Sequence, residues 1–290
     1  MKTRQPIVAG QFYPAGRDAC LAEVRQCLEA GPPLEALPES IAAGIVPHAG
    51  WTFSGSTAAK VYAAVKACHD RVDAFVICGT AHGYFGSLPA ADDHDAWQTP
   101  LGDIEIDRAL AARLREAGAI QNDAAAHRHE HSIEVQVPFI QHVFPEARLL
   151  PIVVPPTEGA LTLGEALGAI ISHTQERIVC IGSTDLTHYG PRYGFTPKGA
   201  GAAGLRWAAD VNDRAFIDLA LRLDAEHLLS EAVDRGNACG PGAAAATVMA
   251  ARVLGVAKGC LLAYTNSNDV MIRQMGTASR DSVGYAAIAF

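Results

Sequence analysis

The chain has 290 residues, 49% hydrophobic and 19% charged, with a formal net charge of −8 at pH 7. That much apolar side chain offsets the entropy of ordering and excludes an intrinsically disordered protein. The negative balance, with no run of Lys and Arg, argues against nucleic acid or an anionic membrane surface as partner and leaves a small molecule, a peptide or a protein.

From the N-terminus, no apolar stretch of the length of a secretory signal follows Lys2-Thr3-Arg4-Gln5-Pro6, and later apolar runs fall far below the roughly 20 residues of a membrane span. A cytoplasmic protein is expected. The seven cysteines are odd in number, scattered and without a CxxC pair, which suits a reducing compartment. Strand-like apolar runs at 42–46, 73–78, 149–154, 177–181, 259–264 and 284–290 alternate with helical periodicity at 18–28, 56–67, 107–116, 133–143, 159–173, 205–223, 225–233 and 243–254. This alternation predicts an α/β fold, a mixed and mainly parallel sheet covered by helices on both faces. Pro138 predicts a kink in the fourth helix. No repeat, charge block or long linker divides the sequence, and Gly31-Pro32-Pro33 is too short for a hinge, so one domain over 1–290 is expected. The Gly- and Pro-rich stretch 190–204 predicts a surface loop that borders a site, with Arg192 and Lys198 offering charge to an anionic group.

Three polar clusters stand where apolar strands end: Pro47-His48-Ala49-Gly50, Gly79-Thr80-Ala81-His82-Gly83 and Ser183-Thr184-Asp185-Leu186-Thr187-His188-Tyr189-Gly190. Ligands of open α/β sheets bind beyond the carboxyl ends of the strands, so these segments are expected to converge on one crevice. Any single histidine is more often a hydrogen-bonded turn residue; the repeated position in the pattern is what favours function here. Cys239 precedes Pro241, a residue suited to open a helix, and a helix N-terminus favours the thiolate that binds soft metals or acts as a nucleophile; a packed turn residue is an equal alternative. Asp185 and His188 are spaced to share a face of a helical turn, as a carboxylate–imidazole pair that handles protons or supports a metal ligand. In His127-Arg128-His129-Glu130-His131, His127 and His129 read as solvated, whereas Glu130 and His131 adjoin the apolar helix and are expected to be fixed at the site. Phosphate-loop, nucleophile-elbow and zinc-helix motifs are missing from the sequence.

The blocks V-P-H-A-G-W-T-F-S-G (46–55), G-T-A-H-G (79–83), E-H-S-I-E-V-Q-V-P-F (130–139), S-T-D-L-T-H-Y-G (183–190) and N-A-C-G (237–240) resemble those of the Memo family, in the family's order and over roughly two-thirds of the chain. The resemblance implies a single α/β/α domain related in fold to class III extradiol dioxygenases, with one transition metal ion held by His48, His82 and Cys239 and with Asp185 and His188 lining the same pocket. Dioxygenases of that class use two histidines and a carboxylate. Cys239 softens the set, so copper or zinc stand beside iron and simple ring cleavage is put in doubt. The leading expectation is a non-haem metal-dependent redox or dioxygenase-like enzyme. His188 would move protons, Asp185 would hold its tautomer, Trp51 and Tyr189 would form an aromatic wall, and Glu130 and His131 would face the substrate. The alternative is a non-catalytic peptide- or protein-binding module with an enzyme-like pocket. A metal-free thiol enzyme built on Cys239 is a third reading. By family association, AMMECR-type and radical-SAM proteins are expected partners, and the chain is expected to be a monomer or small homo-oligomer.

Overall fold

The computed structural model describes residues 2–29, 31 and 37–290; Pro32 and Pro33 of the short proline run lie outside them. The chain runs β1 (Thr3–Arg4), α1 (Arg17–Leu28), β2 (Ala43–Val46), α2 (Trp51–Cys68), β3 (Ala74–Thr80), β4 (Ala90–Ala91), β5 (Ala96–Thr99), β6 (Gly102–Glu105), α3 (Arg108–Glu116) and β7 (Gln121–Asn122). It continues through α4 (Val137–Val143), β8 (Arg148–Val154), α5 (Glu158–Ser172), β9 (Ile178–Ser183), β10 (His188–Tyr189), α6 (Ala202–Trp207), a π-helical turn (Ala208–Asp213), α7 (Arg214–Leu221), α8 (Ala225–Arg235), α9 (Pro241–Val253), β11 (Cys260–Asn266), α10 (Ser267–Met275) and β12 (Ser282–Ala289).

A central mixed sheet is ordered β10-β12-β2-β9-β3-β8-β4-β7, with β11 on β12. Its middle, β2-β9-β3-β8, is parallel; β12 pairs antiparallel with β2, and β4 antiparallel with β8. The middle strands are continuous apolar runs because helices cover both faces. Successive side chains alternate between two cores. Ala74, Val76 and Cys78 join Ile45, Ile152 and Cys180 under α3, α5, α7, α8 and α9, whereas Phe75 and Ile77 join Val46, Val153 and Val179 under α1, α2 and α4. A small sheet, β1-β5-β6, stands apart.

All six predicted strands and eight predicted helical segments are present, with differences that have local causes. Pro138 kinks nothing: it sits in the first turn of α4, where its missing N–H has no intrahelical partner to lose, and residues 134–136 before it form a short 3₁₀ turn. The helix predicted over 205–223 is interrupted by the π turn. Helix α9, opened by Pro241, is Ala-rich and packs tightly on α5, because a Cβ at Gly164 would lie 2.5 Å from both Ala246 O and Met249 Cβ. That helix begins two residues after Cys239, so its packing fixes the height of that thiol over the sheet. Among the described residues, no helix is long and apolar enough to cross a membrane.

Candidate metal centre

The parallel strands β2, β9 and β3 lie side by side, and each leaves its carboxyl end in a polar segment. Above them lies a cleft of about 490 Å³, lined by His48, His82, His131, Asp185 and His188 on the sheet side. The opposite wall comes from Phe12, whose ring meets His131 edge-on, from Arg192 and Tyr193, from Ser267 and Met271 of α10, and from Asp281, Val283 and Tyr285 around β12. The loop predicted over 190–204 thus borders the cleft through Arg192 and Tyr193, while Lys198 turns away to lie 5.9 Å over the Trp207 ring.

The tautomer of His48 follows from its neighbours. Ser183 Oγ donates its proton to Ser132 O at 2.7 Å, so toward His48 Nδ1, 3.2 Å away, it accepts. Nδ1 therefore donates to Ser183, and Nε2 faces Cys239 Sγ at 3.3 Å, where a proton lies between ring and sulfur. His82 is held in the same manner. Its Nδ1 lies 3.0 Å from Glu130 Oε2, its backbone N–H donates to the same carboxylate, and Nε2 turns to Cys239 and the cleft. A carboxylate or hydroxyl behind one ring nitrogen, with the other turned into the site, is the arrangement that orients histidine ligands.

Cys239 is reached from the remaining side. The strip Leu186 to Ala238 forms an antiparallel bridge, the Cys239 N–H donates to Asp185 O at 3.0 Å, and the Asp185 N–H donates to Cys239 Sγ at 3.3 Å. Burial pushes this thiol up, but His48 and His82 outweigh it and bring the pKa down to about 6, so a thiolate is stored at neutral pH. For His82 burial opposes the charge, yet its bonds to Cys239 and Glu130 raise it to about 10; Glu130, though buried, is held down at about 2 by His82 and Ser132. Burial lowers His48 and His131 below the usual imidazole range.

The donor chemistry fits a transition metal. Donor atoms of His48, His82 and His131 all lie within 4.8 Å of one another, and Cys239 adds a thiolate on the His48 side. Two oriented imidazoles with one sulfur suit zinc, copper or iron better than magnesium or calcium, which take oxygen. A second group, Asp92, Asp93 and His94, lies elsewhere, with its carboxylates already engaged by Trp97, His94 and Lys2.

Not every predicted site residue comes to the cleft in its expected role. Asp185 does not orient His188: its Oδ1 accepts the His48 N–H at 2.7 Å, and the His188 Nδ1 proton goes to Leu186 O at 3.0 Å. The reason is that the segment is extended, not helical, so the spacing of three does not bring the two side chains together. Trp51 is buried, its Nε1 donating to Val135 O, and Tyr189 is buried on the other face of β10 with its hydroxyl on Gly199 O. The aromatic wall is formed instead by Phe12, Phe53, Tyr193 and Tyr285. Glu130 stands behind His82, not before a substrate. His131 does face the cleft, stacked on His82. His127, expected in solvent, is fully buried with Nε2 bonded to Ala90 O, because the turn it ends packs on Trp97.

The family model for Memo-like proteins matches residues 4–289. The chain belongs to the Memo-like family. A MEMO1 family protein of Methanosarcina barkeri is 38% identical over 290 residues, covering 98% of both chains, and one from Methanopyrus kandleri is 38% identical over 301 residues, covering 99% of this chain and 98% of its own. A MEMO1 family protein of Thermococcus onnurineus is 36% identical over 99% of both chains. Among solved structures, an uncharacterized protein of Escherichia coli K12 matches with a TM-score of 0.50 and 15% identity over 84% of this chain and 99% of that one, a likeness of fold alone. The Memo-like core therefore extends over essentially the whole sequence, cleft included.

Proposed function

We propose that this Memo-like protein is a non-haem, metal-dependent redox enzyme of dioxygenase-like build, with one transition metal ion held by His48, His82 and Cys239 and iron as the first candidate. The observation that carries the reading is the convergence of two pre-oriented imidazoles, each just beyond the carboxyl end of a parallel strand, with the Cys239 sulfur that precedes α9. A bound ion of this kind supplies one-electron chemistry and Lewis acidity. The protein's own part is positioning and proton handling. His188 Nε2 is bare toward the cleft, since Nδ1 is committed to Leu186 O, and it serves as the base that accepts a substrate proton. His131, half-buried and stacked on His82, is the second neutral imidazole facing a ligand. Phe12, Phe53, Tyr193 and Tyr285 hold an organic ring or side chain and exclude water.

The test is anaerobic purification without an affinity tag and elemental analysis for iron, copper and zinc, beside a His48→Ala/Cys239→Ser variant. Stoichiometric metal in the wild type that is lost in the variant is expected. A wild type that takes up no metal even after reconstitution overturns the reading and moves the assignment to a peptide- or protein-binding module.

A further inference from the structure

The helical stretch predicted over 205–223 is broken by the π turn Ala208–Asp213, and wide turns of this kind recur where a helix serves a site. Its last two residues aim at one target. Asp213 Oδ1 accepts the Thr187 N–H at 2.9 Å, and Asn212 Nδ2 donates to Thr187 Oγ1 at 3.0 Å. Thr187 is the residue before His188. On the other side Asn237 Nδ2 donates to Asn212 O at 3.1 Å, and Asn237 lies two residues before Cys239. Asp213 Oδ2 accepts from the Tyr264 hydroxyl at 2.7 Å, which ties the turn to β11, and Gly284 of β12 approaches the same carboxylate so closely that any Cβ there would collide with it.

Asn212, Asp213 and Asn237 are at most 1% exposed. The Oδ1 atoms of Asn212 and Asn237 find no donor among the described residues. Polar groups buried on such terms are a poor means of stabilising a fold, and an apolar cluster of equal volume would pack with less desolvation. Their shared property is topological: they join the two segments, 186–188 and 237–239, that carry a proton-handling histidine and the thiolate.

We propose that Asn212, Asp213 and Asn237 are positioning residues of the cleft, a buried clamp that sets where His188 and Cys239 stand relative to each other. The inference rests on the metal-site reading given above, and it makes the π turn a part of the site although it touches no ligand.

The test uses the full chain loaded with cobalt(II), whose thiolate charge-transfer absorption in the near ultraviolet reports the bond to Cys239. Asp213→Ala and Asn237→Ala are expected to weaken cobalt affinity 10- to 100-fold and to shift or diminish that band. Asp213→Asn keeps an oxygen for the Thr187 N–H and an amide for Tyr264, so affinity and spectrum are expected to stay as in the wild type. Leu114→Ala, a cavity in the core under α3 and away from the cleft, controls for general loosening and is expected to leave both unchanged. The clamp is overturned when both alanine variants keep the wild-type band and affinity, or when Leu114→Ala alters them as much. A wild type that binds no cobalt overturns the metal reading instead, and the clamp is then judged on the rate of Cys239 alkylation by iodoacetamide. A change of at least tenfold in Asp213→Ala and Asn237→Ala, absent in Asp213→Asn, supports it; equal rates in the wild type and these three variants sink it.

Discussion

His82 and His131 lie face to face, ring centroids 4.8 Å apart and planes 15° from parallel, with His48 edge-on to both. Stacked imidazoles share any positive charge at a cost, and the site resolves this through Glu130, which lies 3.0 Å from His82 Nδ1 but 3.9 Å from His131 Nδ1. Glu130 therefore aims His82 alone. Its two oxygens also accept the backbone N–H groups of His82 and Ser132, so an amide in its place would turn a donor toward a donor. Glu130→Gln is expected to fold and to lose 10- to 100-fold in zinc or cobalt affinity, measured by competition with a chromophoric chelator. Affinity within twofold of the wild type would show that Glu130 does not orient a ligand.

Cys239 is expected to be the first thiol to react. Its pKa of about 6 sets it apart from Cys20, Cys27 and Cys78, which burial pushes up to about 12. Alkylation at Cys239 should rise through about pH 6 and level off above pH 7, because only the thiolate attacks. Bound zinc should suppress it. Peptide mapping after brief iodoacetamide treatment at pH 6.5 checks both points, and modification spread over several cysteines would contradict the stored thiolate.

How far the site could be read in advance depended on contiguity. His48 and His82 each stand two residues beyond an apolar strand, and the parallel middle of the sheet brings such ends to one cleft, whereas His188, five residues past β9, reaches it from β10. Trp51 and Tyr189 stand near those residues in sequence but do not line the cleft. Neighbours along a strand point to opposite faces, so Tyr189 turns inward where His188 turns to the cleft. The opposite wall was invisible. Ser267, Met271, Asp281 and Tyr285 reach the cleft only through the antiparallel pairing of β12 with β2 and β10, which no local pattern announces. The π turn reads as ordinary helix, since its apolar period hardly differs.

His188 is expected to matter to reaction and not to metal retention, because its Nε2 faces the cleft while none of its contacts touches His48, His82 or Cys239. His188→Gln should keep the wild-type metal content by elemental analysis. It should slow oxygen-linked turnover by about 10²–10⁴-fold, the usual worth of a positioned general base. Loss of metal in this variant would instead make His188 a ligand.

Gly164 tests the packing that sets the height of Cys239. A Cβ at this position of α5 would press on Ala246 O and Met249 Cβ of α9. Gly164→Ala is expected to destabilise the protein by about 1–3 kcal/mol through overpacking, against a smaller gain in helix propensity. The midpoint of thermal unfolding should fall by several degrees, and an unchanged midpoint would show that the two helices separate at little cost.

Asp213 carries a pH signature that separates its role in stability from its role in the site. Burial pushes its carboxyl up from 3.8 to about 7, against the opposing effect of its bonds from Thr187 and Tyr264. Between about pH 4 and pH 7 the folded protein thus binds a proton at this position that the unfolded chain has released. Stability supplied by this group falls as pH rises through that window and is flat above it. The whole of this effect is worth about 4 kcal/mol at most. Asp213→Asn removes this titration while keeping the polar contacts. The variant is expected to unfold at the same urea concentration as the wild type near pH 4 and at a higher one near pH 8. Parallel curves for the two proteins across this range would mean that the carboxylate is charged at neutral pH without penalty. A gain in stability at pH 8 would instead show that the buried acid is retained at the expense of stability, which is what a clamp serving the cleft requires.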